Sequence, residues 1–257
     1  MGGYFSYLLD GANWTFDPNG FPTRILEHLG YTAVAVLVAA VIAFPIGLLI
    51  GHTNKGAFFA INLGNAARAV PTIGILFLVL ALAGLGLVPV IAALVALAVP
   101  PILTTTYAGI RSVDPAVVDA ARGIGLRERQ IVTQVELPVA LPIIMGGLRN
   151  AVLQVVATAT IAAYVGQGGL GRYLFSGLAL RDYPRVVAGS VLVAVLAVLL
   201  DLAISGVQRV LVSPGTDGRA AKRRTTSRTR RAAERGHDTA QALGSATTTS
   251  RHAGSST

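Results

Sequence analysis

Long apolar runs recur between Tyr31 and Leu211, and several are long enough to cross a lipid bilayer. The hydrocarbon core of a bilayer is about 30 Å thick, which takes roughly 20 helical residues to span. Hydrophobic residues make up 53% of the chain and charged residues only 13%, whereas about a quarter of the residues of a typical soluble domain are charged. The sequence therefore predicts an all-α integral membrane protein.

Five spanning helices are expected, at about 31–51, 71–87, 89–107, 139–165 and 186–207. The segment from Ala57 to Arg68 holds two Asn residues and an Arg, so we expect it to lie at the membrane surface. Counting that segment as a span gives six helices as the alternative. With five spans and the N-terminus outside, most Lys and Arg residues near the span ends fall on the cytoplasmic side, as the positive-inside rule requires.

The two ends of the chain are predicted to lie outside the bundle. Residues 1–23 contain the only tryptophan, Trp14, and several other aromatic residues, which is typical of a membrane-interface segment. From Val212 onward the chain carries nine Arg or Lys residues against three acidic ones and almost nothing apolar. We therefore expect residues 211–257 to form a disordered basic cytoplasmic tail, attracted to anionic lipid rather than to nucleic acid.

Several kinds of chemistry are excluded by the residue inventory. The chain has no cysteine, so thiolate metal sites and cysteine nucleophiles cannot occur. No Gly-x-x-x-x-Gly-Lys motif is present, so this chain cannot be an ATP-binding subunit. No metal site is expected, because the four histidines are scattered without the spacing of metal ligands; they are His28, His52, His237 and His252.

A polar stretch, residues 111–138, interrupts the apolar chain. Asp114-Pro115 has the pattern of a helix N-cap followed by proline in the first turn, and Gly123 and Gly125 should end that short helix. A second short helix is expected from about Leu126 to Val135, until Leu137-Pro138 turns the chain back into the bilayer. The pattern predicts a bent pair of helices projecting on the cytoplasmic side.

The spacing within this stretch resembles a known motif. Asp119-Ala120-Ala121, then Gly125, then Val135-Glu136-Leu137-Pro138 is similar to the EAA loop of binding-protein-dependent ABC importer permeases. The family consensus has Glu where Asp119 stands and usually Ile where Val135 stands, and both departures are conservative. Flanking sequences, including Val165 to Gly171, resemble permeases that take up glycine betaine, choline and proline. The resemblance covers residues 24–210.

The resemblance implies the transmembrane domain of a type I ABC importer in the cytoplasmic membrane of a prokaryote. Two permease subunits, identical or different, would form the pore, and an extracytoplasmic binding protein would deliver the substrate. Cytoplasmic ATPase subunits would use ATP and receive the loop, so this chain would be a pore-forming subunit without a cofactor of its own. The residues that match the coupling loop are Asp119, Ala120, Ala121, Gly125, Val135, Leu137 and Pro138.

Polar residues in the fourth predicted span are candidates for the translocation pathway. Asn150, Gln154 and Thr158 are four residues apart and so share one helix face. Such groups are costly in a bilayer unless they face a watery cavity or a neighbouring helix, and both arrangements remain open here. Arg149 needs a partner in the same environment, and Asp201 in the last span is one possible mate.

The resemblance alone indicates the cargo, a small osmoprotectant of the glycine betaine, choline, carnitine or proline type. The spans contain no aromatic cage of the kind that binds quaternary ammonium groups. A permease for methionine or another small solute is the alternative within the family. A gradient-driven transporter would need coupling-ion sites, yet Asp201 is nearly the only carboxylate in the spans. The loop that begins at Gly166 is expected to lie outside, as a contact for the delivery protein or as a flexible surface loop.

Overall fold

The computed structural model describes residues 2–58, 61–62 and 71–211. Most of the predicted surface segment from Ala57 to Arg68 lies outside these residues, as does the basic tail after Leu211. The described part is built of helices and their connections. In chain order the α-helices are α1 (Ser6–Leu9), α2 (Phe21–Thr53), α3 (Thr72–Ala83), α4 (Leu87–Arg111), α5 (Pro115–Gly123), α6 (Glu128–Ile131), α7 (Leu137–Thr158), α8 (Gly171–Leu180) and α9 (Tyr183–Leu211).

Four helical segments of the described chain are long and apolar enough to cross a membrane: α2, α4, the stretch Glu128–Val165, and α9. The predicted span at about 71–87 is the short helix α3, whose 12 residues reach only about 18 Å at 1.5 Å per residue. This helix ends early because Gly84 adopts a left-handed backbone with φ of 79°. The five-span prediction thus becomes four full-length helices and one shorter apolar helix.

Helix α2 begins ten residues before its predicted start at residue 31. Pro22 lies in its first turn, where a missing N–H costs no hydrogen bond. Pro45 lies inside α2, which nevertheless continues as one helix of 33 residues. The last residues of the predicted N-terminal segment, 1–23, therefore belong to the first spanning helix.

The predicted turn at Leu137-Pro138 is wrong, because the chain remains helical there. Helix α6 passes directly into a π-helix, Val132–Glu136, and then into α7, which itself continues as a 3-10 helix, Ala159–Val165. The Leu137 N–H pairs with the Val132 carbonyl, five residues back. The missing N–H of Pro138 thus falls where the helix changes its hydrogen-bond spacing, so the proline does not break it.

Small residues let the central helices approach one another closely. Helices α2, α4 and α7 share a core in which alanine recurs at fully buried positions such as Ala39, Ala93 and Ala151. At the end of α2, a Cβ on Gly51 would lie 2.7 Å from the Ile110 Cβ of α4, closer than real contacts allow. Such packing is typical of membrane helices, which gain no hydrophobic free energy from association within lipid.

Candidate functional site

The first half of the 111–138 loop folds as the sequence predicts. Asp114 caps α5 by accepting a hydrogen bond from the Ala116 backbone N–H at 2.9 Å, and Pro115 is the first helical residue. The helix ends at Gly123, and Gly125 follows with φ of 87°, a conformation that glycine adopts without strain. Asp119 and Ala120 are exposed on this helix, whereas Ala121 is buried against the rest of the loop.

In the second half of the loop, the residues that match the coupling motif are less exposed than those in the first half. Val135 lies half-buried in the π-helix, and Pro138 is exposed. Leu137 packs against the small apolar cluster of Ile110, Ala140 and Ile144. Of the seven residues that match the coupling motif, only Asp119, Ala120, Gly125 and Pro138 offer an exposed surface.

A charged network that runs through the loop was not foreseen from sequence. The Arg122 guanidinium donates to both Glu128 oxygens, at 2.9 and 3.1 Å, and lies 3.3 Å from Asp119. The hydrogen bond from Arg122 to Glu128 raises the pKa of the guanidinium further above its ordinary value. The network continues to His52 near the end of α2, whose two ring nitrogens contact Glu128 at 2.9 Å and Glu136 at 2.8 Å.

No periodicity could have revealed His52, because 84 residues separate it from Glu136 in sequence. The only local signal is its place after Gly51, where the apolar run of α2 ends. A cavity of about 120 Å³ lies beside the network, lined by Gly51, His52, Ile110, Arg111, Val113, Pro115, Val118, Asp119, Arg122 and Glu136. The loop, α2 and α4 therefore meet at a polar junction.

The structure confirms the predicted partner of Arg149. Its guanidinium forms two hydrogen bonds with the Asp201 carboxylate, joining α7 to α9. Beyond Arg149 in α7, Asn150 and Gln154 are exposed and their side chains make no hydrogen bond with another described residue, while Thr158 is half-buried. These amide groups lie on a helix apolar enough to span a membrane, so their exposed face needs water or another subunit beside it.

At the far end of α2 the predicted outer loop is tied down. The Gly169 backbone N–H donates to Glu27 at 2.7 Å, and the same carboxylate accepts from Arg24 at 2.9 Å. A hydrogen bond of 3.0 Å joins Arg24 to the side chain of Asn19. The backbone carbonyl of Asn19 in turn accepts from the Tyr173 hydroxyl at 2.6 Å.

Burial raises the pKa of Tyr173 to about 12, so its hydroxyl stays a neutral donor at physiological pH. Beside it lies a cavity of about 190 Å³, lined by Asn19, Arg24, Arg172, Tyr173, Ser176 and Arg185. Within the described ranges, no group of three or more His, Asp or Glu residues could hold a metal ion. The polar features of the described chain are therefore ion pairs and hydrogen bonds between helices and loops.

Comparison with known proteins defines the class. Residues 43–213 match the family described as the binding-protein-dependent transport system inner membrane component. The choline transport system permease protein OpuBB of Bacillus subtilis is 36% identical over 192 residues, which are 75% of this chain and 88% of that protein. The osmoprotectant import permease protein OsmW of Salmonella typhimurium is 32% identical over 214 residues, 81% of this chain and 97% of that one.

Another similar relative is the glycine betaine/carnitine/choline transport system permease protein OpuCB of Bacillus subtilis, at 35% identity over 75% of this chain and 88% of its own length. Among solved structures, the inward-facing MetNI methionine ABC transporter superposes with a TM-score of 0.66 at 23% identity, covering 74% of this chain and 95% of that chain. The fold is thus the transmembrane domain of a type I ABC importer.

This chain belongs to the family of inner membrane components of binding-protein-dependent transport systems. It is a pore-forming permease subunit rather than an enzyme, and a multi-pass protein of the cytoplasmic membrane. Membership of this family implies an ATPase and a substrate-binding protein as partners.

Proposed function

We propose that this chain is the permease subunit of an ATP-driven importer for a small osmoprotectant of the glycine betaine, choline, carnitine or proline type. The observation that carries the proposal is the identity of 32–36% to OpuBB, OpuCB and OsmW over three quarters or more of the chain. In this proposal the ATP is bound by a separate ATPase, and a second permease subunit, identical or different, completes the pore.

Uptake by the reconstituted complex tests the cargo. The permease, the partner ATPase and the binding protein are placed in proteoliposomes and offered labelled glycine betaine, choline, carnitine, proline or methionine. We expect saturable uptake of at least one of the first four, only with ATP inside. Uptake of methionine alone would reassign the cargo within the family, and uptake driven by an ion gradient without ATP would refute the proposal.

We further propose that the exposed part of the 111–138 loop contacts the ATPase and transmits its closure to the permease. Asp119, Ala120 and Gly125 are exposed on this loop, and their small or short side chains allow another protein's backbone to come close. A Cβ added at Gly125 meets no atom of the described residues within 4 Å. A large side chain there would therefore project from this chain towards whatever covers the loop.

Two substitutions at Gly125 separate contact from backbone strain. Gly125→Ala carries the cost of positive φ with little bulk, and Gly125→Trp adds bulk at the same backbone conformation. We expect the Trp variant to lose ATP-driven uptake while inserting in the membrane at the normal level, and the Ala variant to keep most of the uptake. Equal uptake by both variants would contradict the proposed contact between Gly125 and the ATPase.

A third element of the proposal is that Asn150, Gln154 and Thr158 line the translocation pathway, with Arg149 held beside them by Asp201. Because the chain has no native cysteine, single cysteines can be introduced without background. Cys at 150 or 154 should react with polar thiol reagents, and substrate turnover should change the rate. Ala151→Cys, at a fully buried position of the same helix, is the matched control and should stay unreactive. Inert thiols at 150 and 154 would contradict the assignment.

A further inference from the structure

We infer that His52, in its doubly protonated form, is a positioning residue that ties spanning helix α2 to the coupling loop (residues 111–138). The inference rests on the loop's proposed role as the contact with the ATPase. The structural observation behind the inference does not depend on that role. One imidazole ring lies between two carboxylates, with Nε2 2.9 Å from Glu128 Oε2 and Nδ1 2.8 Å from Glu136 Oε2.

With both carboxylates ionised, the two contacts together require a charged ring. A neutral imidazole has one N–H and one lone pair, so it can donate to only one of the two carboxylates. At the other nitrogen, a lone pair would face an oxygen lone pair at a distance at which the two groups repel. An imidazolium ion donates at both nitrogens and carries the charge that both carboxylates attract.

Charged side chains from several helices surround the ring. Glu128 faces the ring from α6 and Glu136 from the end of the π-helix, while Arg122 of α5 is held on the other side of Glu128. Asp119 of α5 and Arg111 of α4 line the adjoining cavity. These groups comprise three carboxylates and two guanidinium groups, so a protonated His52 makes the cluster neutral.

Burial makes the contact with Glu136 the more demanding of the two. The Glu136 side chain is only 6% exposed and that of His52 only 12%, whereas the Glu128 side chain is 58% exposed. Water can solvate Glu128 if His52 withdraws. It reaches Glu136 poorly, so a ring that has lost one proton is best arranged with its remaining N–H on Nδ1, donating to Glu136, and the contact that is lost is the one with Glu128.

The positions of Glu128 and Glu136 show which parts of the molecule His52 connects. Glu128 begins α6 just after the turn at Gly125, and Glu136 ends the π-helix that continues into α7. His52 therefore fastens α2 to two points eight residues apart on one helical rod, and through Glu128 to Arg122 of the exposed helix α5. A displacement of the loop is therefore transmitted to α2 through the contacts of His52 with Glu128 and Glu136 and through the contact of Arg122 with Glu128.

The test measures solute transported per ATP hydrolysed by the reconstituted complex as internal pH rises from about 5 to about 9, an interval that includes the range of about pH 5 to 8 in which histidine changes its charge. His52→Arg keeps a fixed positive charge with several donors, and His52→Gln is neutral. We expect the wild-type ratio to fall several-fold with rising pH, the Arg variant to give a flatter profile, and the Gln variant to be low throughout.

A purely structural role predicts a different pattern, in which both variants lower the thermal unfolding midpoint and neither alters the pH profile of the ratio. Thr53→Val is the matched control, since among the described residues the Thr53 hydroxyl bonds only to groups close to it in sequence, donating to the Leu49 carbonyl and accepting from the Lys55 N–H. It should behave as wild type. Identical pH profiles for wild type and His52→Arg, or a wild-type ratio in His52→Gln, would overturn the inference.

The Gly125 variants keep the two proposals apart. If Gly125→Trp abolishes uptake while His52→Gln keeps the wild-type ratio of solute transported to ATP hydrolysed, the proposed ATPase contact of the loop is supported and the proposed role of His52 is refuted. If Gly125→Trp transports normally, the loop is not the ATPase contact and the inference about His52 falls with it.

Discussion

The two ends of helix α2 are both fastened by charged side chains, but with different chemistry. At the outer end, Arg24 and Glu27 form an ion pair, and Glu27 also accepts the Gly169 N–H. At the inner end, next to the coupling loop, His52 lies between Glu128 and Glu136. Guanidinium and backbone groups keep their donors at any physiological pH, whereas an imidazolium ion that is deprotonated keeps one of its two. We call the outer contacts the outer anchor, and the inner contacts are those that we infer to depend on the protonation of His52.

A further contact strengthens the outer anchor. His28 is fully buried and its Nε2 lies 2.9 Å from the Val156 carbonyl of α7. Helix α7 changes to 3-10 hydrogen bonding at Ala159, just after Val156. His28 donates to the Val156 carbonyl immediately before that change. The outer half of α2 is thus held to α7 by a bond that no solvent reaches.

The largest effect is expected from Gly168→Ala, which breaks the outer anchor. An added Cβ would overlap the Glu27 carboxylate and lie 2.7 Å from Arg24 Nη1, so the ends of both side chains must move, which weakens their ion pair and the bond to Gly169. We expect a loss of about 3 kcal/mol in the free energy of unfolding, measured as a lower thermal midpoint in detergent, by the same amount at every pH at which both side chains are charged.

Gly30→Ala is the control for that change. Gly30 lies on α2, the helix that carries Arg24 and Glu27, and a Cβ added there meets no described atom within 4 Å. Alanine is the better helix former, so this variant should be as stable as wild type or slightly more so. If the two variants had equal midpoints, the outer contacts would not be an anchor.

A smaller loss is expected from His28→Leu. Leucine fills the site but leaves the Val156 carbonyl without a donor, while it also removes the ring nitrogen Nδ1, which has no partner among the described residues. We expect a net loss of about 2 kcal/mol in the same thermal measurement. His28→Gln, which keeps a donor, should lie between Leu and wild type. A Leu variant as stable as wild type would show that this hydrogen bond contributes nothing to the anchor.

The smallest effect is expected at the inner end, from Asp114→Ala. The change removes the N-cap of α5 and should weaken that helix by about 1 kcal/mol. Hydrogen exchange of the first amides of α5 should accelerate by roughly fivefold, with no change at Gly169. Asp114→Asn retains a capping oxygen and serves as the control. Faster exchange at both ends of α2 would mean that the two ends are not independent.

Local chemistry allowed part of this structure to be predicted. The cap at Asp114, the end of α5 at Gly123 and the Arg149–Asp201 pair all follow from short-range rules or from the cost of a lone charge in lipid. The functional roles of the coupling-loop and pathway residues stay predictions.

Other features depend on groups far apart in sequence. Residues 27 and 169 are 142 positions apart, and residues 52 and 136 are 84 apart, so no local pattern brings either pair together. The helical path through Pro138 was missed for another reason: a Leu-Pro pair is usually read as a turn, and only the π-helix before it makes the proline compatible with a continuous helix.

Because the chain stays helical through Pro138, the second half of the coupling loop and the candidate pathway residues belong to one continuous helical segment. The helical stretch from Glu128 to Val165 has 38 residues, a rod of roughly 57 Å at the usual rise. If the stretch turns as one body about a point along its length, Gln130 in the loop and Gln154 in the candidate pathway move in opposite directions. Given the roles proposed for these two regions, a displacement of the loop would then change the width of the pathway without a separate hinge at the membrane surface.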